Sequence, residues 1–166
     1  MDTKGHNIIL GSGSPRRKEL LSELGFNFEV DTRNTFEEVY SEDTPQEMIP
    51  QVLSEGKSHG FHRDLTENEI LITSDTLVLC DGRVMGKPRG RDDAADMLKA
   101  LSGKSHKVIT AVTMRDSKRI KTVSDTALVH FKELKDNEID YYIDNYRPFD
   151  KAGAYGIQEW IGYIGI

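Results

Sequence analysis

The feature that most constrains this chain is a stretch near its start where a strand signal passes directly into a helix signal. Residues 8–10 read Ile-Ile-Leu, a short apolar run of the buried-strand type, and the loop Gly11-Ser12-Gly13 follows. Ser14 can cap a helix, and Pro15 suits the first helical position because its missing N–H has no partner there to lose. Free N–H groups and the positive end of a helix dipole would therefore point at whatever lies over the glycines.

Two arginines open the predicted helix and indicate what the loop would bind. Arg16 and Arg17 place fixed positive charge beside the loop, so phosphate is the ligand that this loop favours. A capped surface helix with solvated arginines explains the same residues. Taken alone they favour that interpretation, since the loop is no Walker A sequence. The helix is expected to end at Gly25. Its expected apolar stripe consists of Leu20, Leu21 and Leu24.

Composition limits the class of protein and its partners. With 166 residues, of which 37% are hydrophobic and 30% charged, the chain is expected to fold as one globular domain. The net charge of −6 opposes binding to nucleic acid, which needs a basic face. Since no apolar run approaches the ~20 residues of a membrane span, we expect no membrane partner. The single cysteine, Cys80, permits no internal disulfide and is expected to be a small buried hydrophobe, which favours the cytoplasm.

Periodicity and turn signals predict strands that alternate with helices. A capping box at residues 44–47 predicts a helix that buries Ile49, Val52 and Leu53, with a kink or restart at Pro50. Two hairpins, one of them around the primed-turn signal Asp81-Gly82, make the sheet mixed rather than parallel. The fold class is therefore α/β with a mixed sheet flanked by helices. The further predicted strands are residues 26–30, 70–73, 77–80, 83–85, 108–114 and 120–131, and the further predicted helices bury residues 94–101 and 139–146.

Several scattered residues have the chemistry that phosphoryl transfer requires. That reaction needs cations around the phosphate oxygens, usually a divalent metal, and a group that deprotonates or orients the attacking oxygen. Asp75 is predicted at the C-terminal end of a buried strand, where open α/β sheets place their chemistry. Taken singly, each candidate is better explained as a turn, cap or solvated surface residue. The candidate cations are Arg16, Arg17, Lys57 and Lys87, and the candidate carboxylates are Glu38 and Asp75.

Other arrangements give weaker signals. His59 and His62 are three residues apart on a predicted helix, but no third ligand completes a zinc set, so solvated histidines are favoured. Three aromatic residues near the end of the sequence can stack on a base, although core packing explains them equally well. These are Tyr155, Trp160 and Tyr163.

Arg16, Arg17, Asp75 and Lys87 fall into motifs that resemble those of the Maf family of nucleoside triphosphate pyrophosphatases, and the likeness spans nearly the whole chain. The last motif, Asp-Lys-Ala-Gly-Ala-Tyr-Gly-Ile-Gln, resembles the branch of the family that acts on dTTP and UTP. The resemblance implies an elongated α/β body with two lobes around a cleft, related to inosine triphosphatase, and a homodimer. The motifs lie at residues 12–21, 74–78, 86–88, 101–106 and 150–158.

The resemblance also implies roles for residues at the matching positions. Asp75 matches the proton acceptor of a metal-dependent hydrolysis at the α-phosphorus. Glu38 matches an acidic residue and, with Asp75, the ligands of Mg²⁺ or Mn²⁺. The positions tied to substrate choice are Arg16, Thr76 and Gln158. The positions around the phosphates are Ser12, Arg17, Lys57 and Lys87.

The sequence therefore predicts an enzyme that hydrolyses dTTP, UTP and modified pyrimidine nucleoside triphosphates to monophosphate and pyrophosphate. The alternative is a nucleotide-binding regulator of septum formation or cell division with little turnover. Family members continue past Gly165-Ile166 with a further strand and helix. We therefore expect a single domain over residues 1–166 that lacks these elements, either because the protein is truncated or because a disordered end is omitted from the sequence. If the elements are truly absent, an unpaired sheet edge weakens fold and dimer. An inactive fragment is the third possibility.

Overall fold

The computed structural model describes residues 3–166 and contains five α-helices, six strands and two short 3₁₀ turns within that range. The strands are β1 (Asn7–Leu10), β2 (Phe28–Val30), β3 (Glu69–Cys80), β4 (Arg83–Met85), β5 (Ser105–Arg115) and β6 (Ile120–His130). The helices are α1 (Pro15–Glu23), α2 (Ile49–His59), α3 (Arg91–Leu101), α4 (Asp136–Tyr146) and α5 (Trp160–Gly165). The 3₁₀ turns are Gln46–Met48 and Ala152–Ala154.

All six strands belong to one mixed sheet, which confirms the predicted α/β class. The strand order is β2-β1-β3-β5-β6, and β4 pairs with β3 outside this path. β1 lies parallel to both β2 and β3, with Ile9 opposite Glu29 on one side and Leu71 on the other. The β3–β4 hairpin is antiparallel. Its turn residues Asp81 and Gly82 both have positive φ, as the predicted primed turn requires.

Strand β3 is longer than predicted, and this changes the place of Asp75. The first residues of β3 pair with β1, and residues 78–80 pair with β4. The chain therefore stays extended through Ser74, Asp75 and Thr76, so the prediction that these residues follow the end of a strand is wrong. They lie instead just beyond the last β1 pair, Leu10 with Ile72, where α1 begins on the neighbouring chain segment.

The residues form two compact units. The first runs up to Asp75 and also contains Thr110–Asp125, while the second contains Thr76–Ile109 and Thr126–Ile166. Two units agree with the prediction of two lobes. The elongated shape, the cleft and the single-domain boundary stay predictions.

In the first unit, apolar residues of β1 alternate between the two faces of the sheet. Ile9 packs with Leu71, Phe61 and Leu65, whereas Ile8 and Leu10 pack with Leu21 of α1. The predicted stripe of three leucines is wrong at two of its positions. Leu20 and Leu24 are 53% and 57% exposed. They lie four residues apart on one side of the helix, and Leu21 alone turns toward the sheet.

Helix α2 restarts where the sequence predicts. A 3₁₀ turn over Gln46–Met48 precedes the helix, and Pro50 lies in the first turn of α2, where no intrahelical N–H is lost. Ile49 and Leu53 are buried as predicted, but Val52 is 37% exposed, so its predicted burial is wrong. Pro45 rather than Thr44 holds the N-cap position of the 3₁₀ turn.

The core of the second unit lies between α3, α4 and α5. Leu98 and Leu101 of α3 pack with Ile139 and Ile143 of α4, and Ile161 of α5 completes this core. Helices α3 and α4 begin and end close to the predicted residues, and Cys80 is buried in the same cluster as expected. Helix α5 is only six residues long and was not predicted, because so short an element has no clear periodicity. None of the helices within residues 3–166 is long and apolar enough to cross a membrane.

Candidate active site

Arg17 connects the first turn of α1 to strand β3. Its Nη1 donates to the carbonyl oxygen of Ser74 at 2.8 Å and to Oγ of Ser12 at 3.3 Å. Ser12 Oγ also accepts the backbone N–H of Ser14 at 3.3 Å, so one hydroxyl shapes the loop and holds the guanidinium. Burial lowers the pKa of Arg17, against the opposing effect of the nearby Asp75 carboxylate. The predicted phosphate-binding pair Ser12 and Arg17 is therefore brought together.

Ser14 occupies the predicted N-cap position of α1. Among the residues that the structure describes, its hydroxyl makes no capping hydrogen bond, so the predicted position is correct and the predicted bond is wrong. The half-buried Arg16 follows in the same first turn.

Lys57 lies between the two candidate carboxylates. Its Nζ is 2.6 Å from Oδ1 of Asp75 and 3.0 Å from Oε1 of Glu38. The side chains of Lys57 and Asp75 are only 19% and 14% exposed, whereas that of Glu38 is 61% exposed. Three residues that are distant in sequence thus form one ion-paired cluster.

A buried hydroxyl network fixes the helix that carries Lys57. Ser54 Oγ donates to Oγ1 of Thr113 at 2.8 Å and lies 3.2 Å from the carbonyl oxygen of Thr73. Thr73 Oγ1 in turn donates to the carbonyl oxygen of Ser54 at 2.8 Å. Ser54 and Lys57 are three residues apart on α2, and Thr73 and Asp75 are two apart on β3, so each pair shares a face of its element. The network therefore sets the position from which Lys57 reaches Asp75.

The loop that carries Glu38 is attached to the C-terminal end of α2. Asn34 Nδ2 donates to the carbonyl oxygen of Lys57 at 2.6 Å, and the Thr35 N–H donates to that of Gly60 at 2.8 Å. The ring of Phe36 occupies the space where a Cβ at Gly56 would lie. Gly56, which weakens a helix by its intrinsic propensity, is required here for the loop to pack.

Sequence reasoning missed these supporting residues. The period-two pair Thr73 and Asp75, and the spacing of Ser54 and Lys57, were the available signals. The contact between Phe36 and Gly56 had no local signal, because it joins residues that are distant along the chain.

The second unit holds the other predicted site residues. Thr76 directly follows Asp75 on β3, and the exposed Lys87 follows β4. The Gly153 N–H donates to the carbonyl oxygen of Gly86 at 3.1 Å, which attaches the Lys87 loop to the segment that carries Gln158.

Gly153 has φ +68°, and a Cβ there would meet the side chain of Val78 at 3.1 Å. Both the conformation and the space favour glycine at this position. The segment is thereby held against β3 within the second unit.

The aromatic residues near the end of the sequence belong mainly to packing. Tyr155 is 8% exposed, its Oη lies 2.6 Å from Nε2 of His106, and both rings contact Phe131 edge to face. Burial lowers the pKa of His106 to about 4 and raises that of Tyr155. Trp160 packs on Tyr141 at a ring separation of 4.7 Å. Core packing is therefore the observed role of Tyr155.

The two histidines do not share a helix. His59 is the last residue of α2, whereas His62 lies beyond the helix with Nε2 at 3.0 Å from Oδ2 of Asp31. The predicted helical placement is correct for His59 and wrong for His62, because α2 ends at the Gly60 cap. Over residues 3–166, no group of three or more His, Cys, Asp or Glu side chains is placed to hold a metal ion.

Together these contacts define an α/β protein with a guanidinium, an ammonium and two carboxylates grouped around one strand, which suits it to bind a phosphate-bearing anion and accept a proton. Residues 7–166 match the family described as Maf-like protein, and the chain belongs to the Maf family. The predicted family resemblance is thus confirmed.

Curated relatives are similar over nearly the whole chain. The dTTP/UTP pyrophosphatase of Phocaeicola vulgatus is 50% identical over 97% of this chain and 83% of its own length. That of Bacteroides thetaiotaomicron is 47% identical over the same shares, and that of Porphyromonas gingivalis W83 is 46% identical over 98% and 83%. A solved HAM1 protein from Coxiella burnetii is similar over 76% of this chain and 73% of its own, with 13% identity and a TM-score of 0.46. The family assignment rests on the sequence matches.

Proposed function

We propose that this chain hydrolyses dTTP, UTP and modified pyrimidine nucleoside triphosphates to the monophosphate and pyrophosphate, and so removes them from the nucleotide pool. The curated relatives that it matches at 46–50% identity carry the name of the activity on dTTP and UTP. The observation that carries the proposal is the placement of Lys57 at 2.6 Å from Asp75, because it sets a cation and a proton acceptor side by side.

The proposed reaction is attack of water on the α-phosphorus. The bond from that phosphorus to the bridging oxygen breaks, and pyrophosphate leaves with the oxygen and its electron pair. Asp75 accepts the proton from water. Since Lys57 contacts Oδ1 of Asp75, we assign the proton to Oδ2. Arg17, Lys57 and Lys87 neutralise the phosphate oxygens, which spreads the charge that develops in the transition state.

A divalent cation, Mg²⁺ or Mn²⁺, is part of the proposal. Glu38 and Asp75 both direct a carboxylate oxygen at the ammonium of Lys57, so they converge on a positive charge. Two carboxylates completed by phosphate oxygens and water are a donor set that suits Mg²⁺. When bound there, the cation would supply Lewis-acid stabilisation of the phosphate charge.

Recognition of the base is assigned to Arg16, Thr76 and Gln158, which match the family positions tied to substrate choice. Arg16 lies beside Arg17 in the first turn of α1, and Gln158 is exposed on the segment attached to the Lys87 loop. We further propose that the chain acts as a homodimer in the cytoplasm, without a nucleic-acid or membrane partner.

Pyrophosphate release from dTTP in the presence of Mg²⁺ tests the proposed reaction. We expect turnover by the wild-type chain, a loss of about 10²–10⁴-fold in Asp75→Asn because a general base is removed, and arrest by a chelator. Asp116→Asn, at an exposed turn of the first unit, is the matched control and should keep full activity. Wild-type turnover no faster than that of Asp75→Asn contradicts the proposal, and calorimetric binding of dTTP without turnover would instead favour the septum regulator.

A further inference from the structure

Gln158 lies at the exposed tip of an otherwise immobilised segment. Between residues 151 and 160, only Ile157 and Gln158 are exposed. A short tip with buried and half-buried flanks presents its side chains from a fixed backbone. The groups that hold the flanks therefore control where the Gln158 amide can reach.

An ion pair closes the segment on itself. The Lys151 side chain is 9% exposed, and its Nζ lies 3.1 Å from Oε1 of Glu159 and 2.8 Å from Oδ1 of Asp150. Lys151 and Glu159 stand on either side of the tip. Because a buried ammonium is costly without partners, this contact strongly favours the closed form of the segment.

A single hydroxyl of α4 holds both sides of the tip. Tyr142 is fully buried, and its Oη accepts the Gly156 N–H at 3.1 Å while it donates to Oε2 of Glu159. Gly156 precedes the tip and Glu159 follows it. Tyr142 therefore fixes the backbone before Gln158 and the side chain after it.

Fixing this backbone matters for the chemistry of base recognition. An amide offers a donor and an acceptor side by side and can exchange them by rotation. Thymine and uracil present a carbonyl oxygen where cytosine presents an amino group. An amide that is free to move can pair with either pattern, whereas an amide on a fixed backbone can be held to one of them.

We propose that Tyr142, Lys151 and Glu159 are positioning residues that hold Gln158 in the orientation that selects thymine and uracil over cytosine. This inference rests on the proposed function, since it assigns Gln158 to the base. It adds three residues outside the positions tied to substrate choice. Selectivity then depends on the contacts that hold the segment as well as on the Gln158 amide itself.

The experiment compares dTTP and dCTP as substrates of Tyr142→Phe, which keeps the ring and removes the hydroxyl. We expect the ratio of kcat/KM for dTTP to that for dCTP to fall about tenfold, with kcat for dTTP within about twofold, because orientation rather than proton transfer is lost. Tyr146→Phe is the matched control on the same helix, where Tyr146 stacks on Tyr142 and is 37% exposed, and its ratio should stay unchanged.

A double-mutant cycle separates positioning from a general loss of stability. In a Gln158→Ala background, adding Tyr142→Phe should change the ratio no further, because the residue through which Tyr142 acts is gone. The inference is overturned if Tyr142→Phe lowers the ratio of kcat/KM values equally in the wild-type and Gln158→Ala backgrounds. If Tyr142→Phe fails to fold, Glu159→Gln takes its place, since it keeps the shape and removes the charge that pairs with Lys151.

The outcomes distinguish the two proposals. A wild-type chain without turnover of dTTP overturns the proposed function and this inference with it. Turnover with a selectivity that Gln158→Ala lowers and Tyr142→Phe leaves intact overturns this inference alone. Turnover with a selectivity that Gln158→Ala does not change removes Gln158 from base recognition and likewise overturns the inference.

Discussion

At the scale of single residues, Arg17 shows how one side chain supports both fold and site. Its guanidinium holds Ser12 and the carbonyl oxygen of Ser74, so it fixes the glycine loop beside the strand that carries Asp75. A lysine could supply the charge but not the planar set of donors. The cost of burying the guanidinium is offset by these bonds and by the nearby Asp75 carboxylate.

Replacing Arg17 tests its proposed contact with phosphate. We expect Arg17→Ala to lower kcat/KM for dTTP. The expected decrease corresponds to a loss of about 2–4 kcal/mol of transition-state stabilisation, the range for loss of one donor to a developing charge. Arg17→Lys should recover part of this loss, because the positive charge returns without the planar set of donors. Steady-state kinetics measure both variants. Arg119→Ala is the control, since Arg119 is 85% exposed at the β5–β6 turn. Unchanged kcat/KM in Arg17→Ala would place the guanidinium outside the site.

At the scale of elements, the site depends on how α2 meets its neighbours. The hydroxyl network of Ser54, Thr73 and Thr113 attaches one face of the helix to the sheet, and Phe36 covers its last turns. Lys57 lies between these two attachments. A change in either attachment is therefore expected to move Lys57 relative to Asp75.

Gly56→Ala tests the contact between Phe36 and α2. In an exposed helix this change stabilises by about 0.5–1 kcal/mol. Here the added methyl group overlaps the Phe36 ring, so we expect a loss of about 1–3 kcal/mol in the free energy of unfolding, as for an overpacked site. Urea unfolding of the variant and the wild-type chain measures this change in the free energy of unfolding. In a Phe36→Ala background the same change should be neutral or stabilising. A rise in stability from Gly56→Ala alone would refute the packing argument.

The difference between local and distant contacts explains what the sequence could predict. Pro15, Asp81-Gly82 and the spacing in α4 are local signals, and each predicted its element correctly. The sequence predicts two separate strands where the structure has the single strand β3. The pairing partner of β3 changes from β1 to β4, and no local periodicity indicates that one strand continues through this change. The sequence offers Glu38 and Lys57 as a candidate carboxylate and a candidate cation outside the motifs, but their contact follows from the packing of Phe36 on Gly56.

At the scale of the whole molecule, buried titratable groups make stability depend on pH. His106 is 2% exposed, and burial lowers its pKa from 6.5 to about 4, with the nearby His130 adding to the effect. Between these values the unfolded chain binds a proton that the folded chain does not. Stability is therefore lost as the pH falls below 6.5. Glu69, whose pKa the Arg63 guanidinium lowers to about 2, acts in the same direction at more acidic pH.

The expected change is large enough to measure. Between pH 7 and pH 5 the His106 contribution should lower the free energy of unfolding by about 2 kcal/mol. Urea unfolding at several pH values measures the slope. His106→Gln should flatten it over this range even if the variant is less stable throughout. His59→Gln, at the exposed end of α2, should leave the slope in place, and a slope unchanged in His106→Gln would show that another group is responsible.

The pairing of Lys57 with two carboxylates has a consequence for association kinetics. Arg17 and Lys57 carry two positive charges, and Glu38 and Asp75 carry two negative charges, so these four side chains are neutral as a set within a protein of net charge −6. These four side chains therefore contribute little long-range attraction for a highly charged anion, and salt screens what remains beyond about 8 Å. For this cluster, capture must depend on contacts made after encounter.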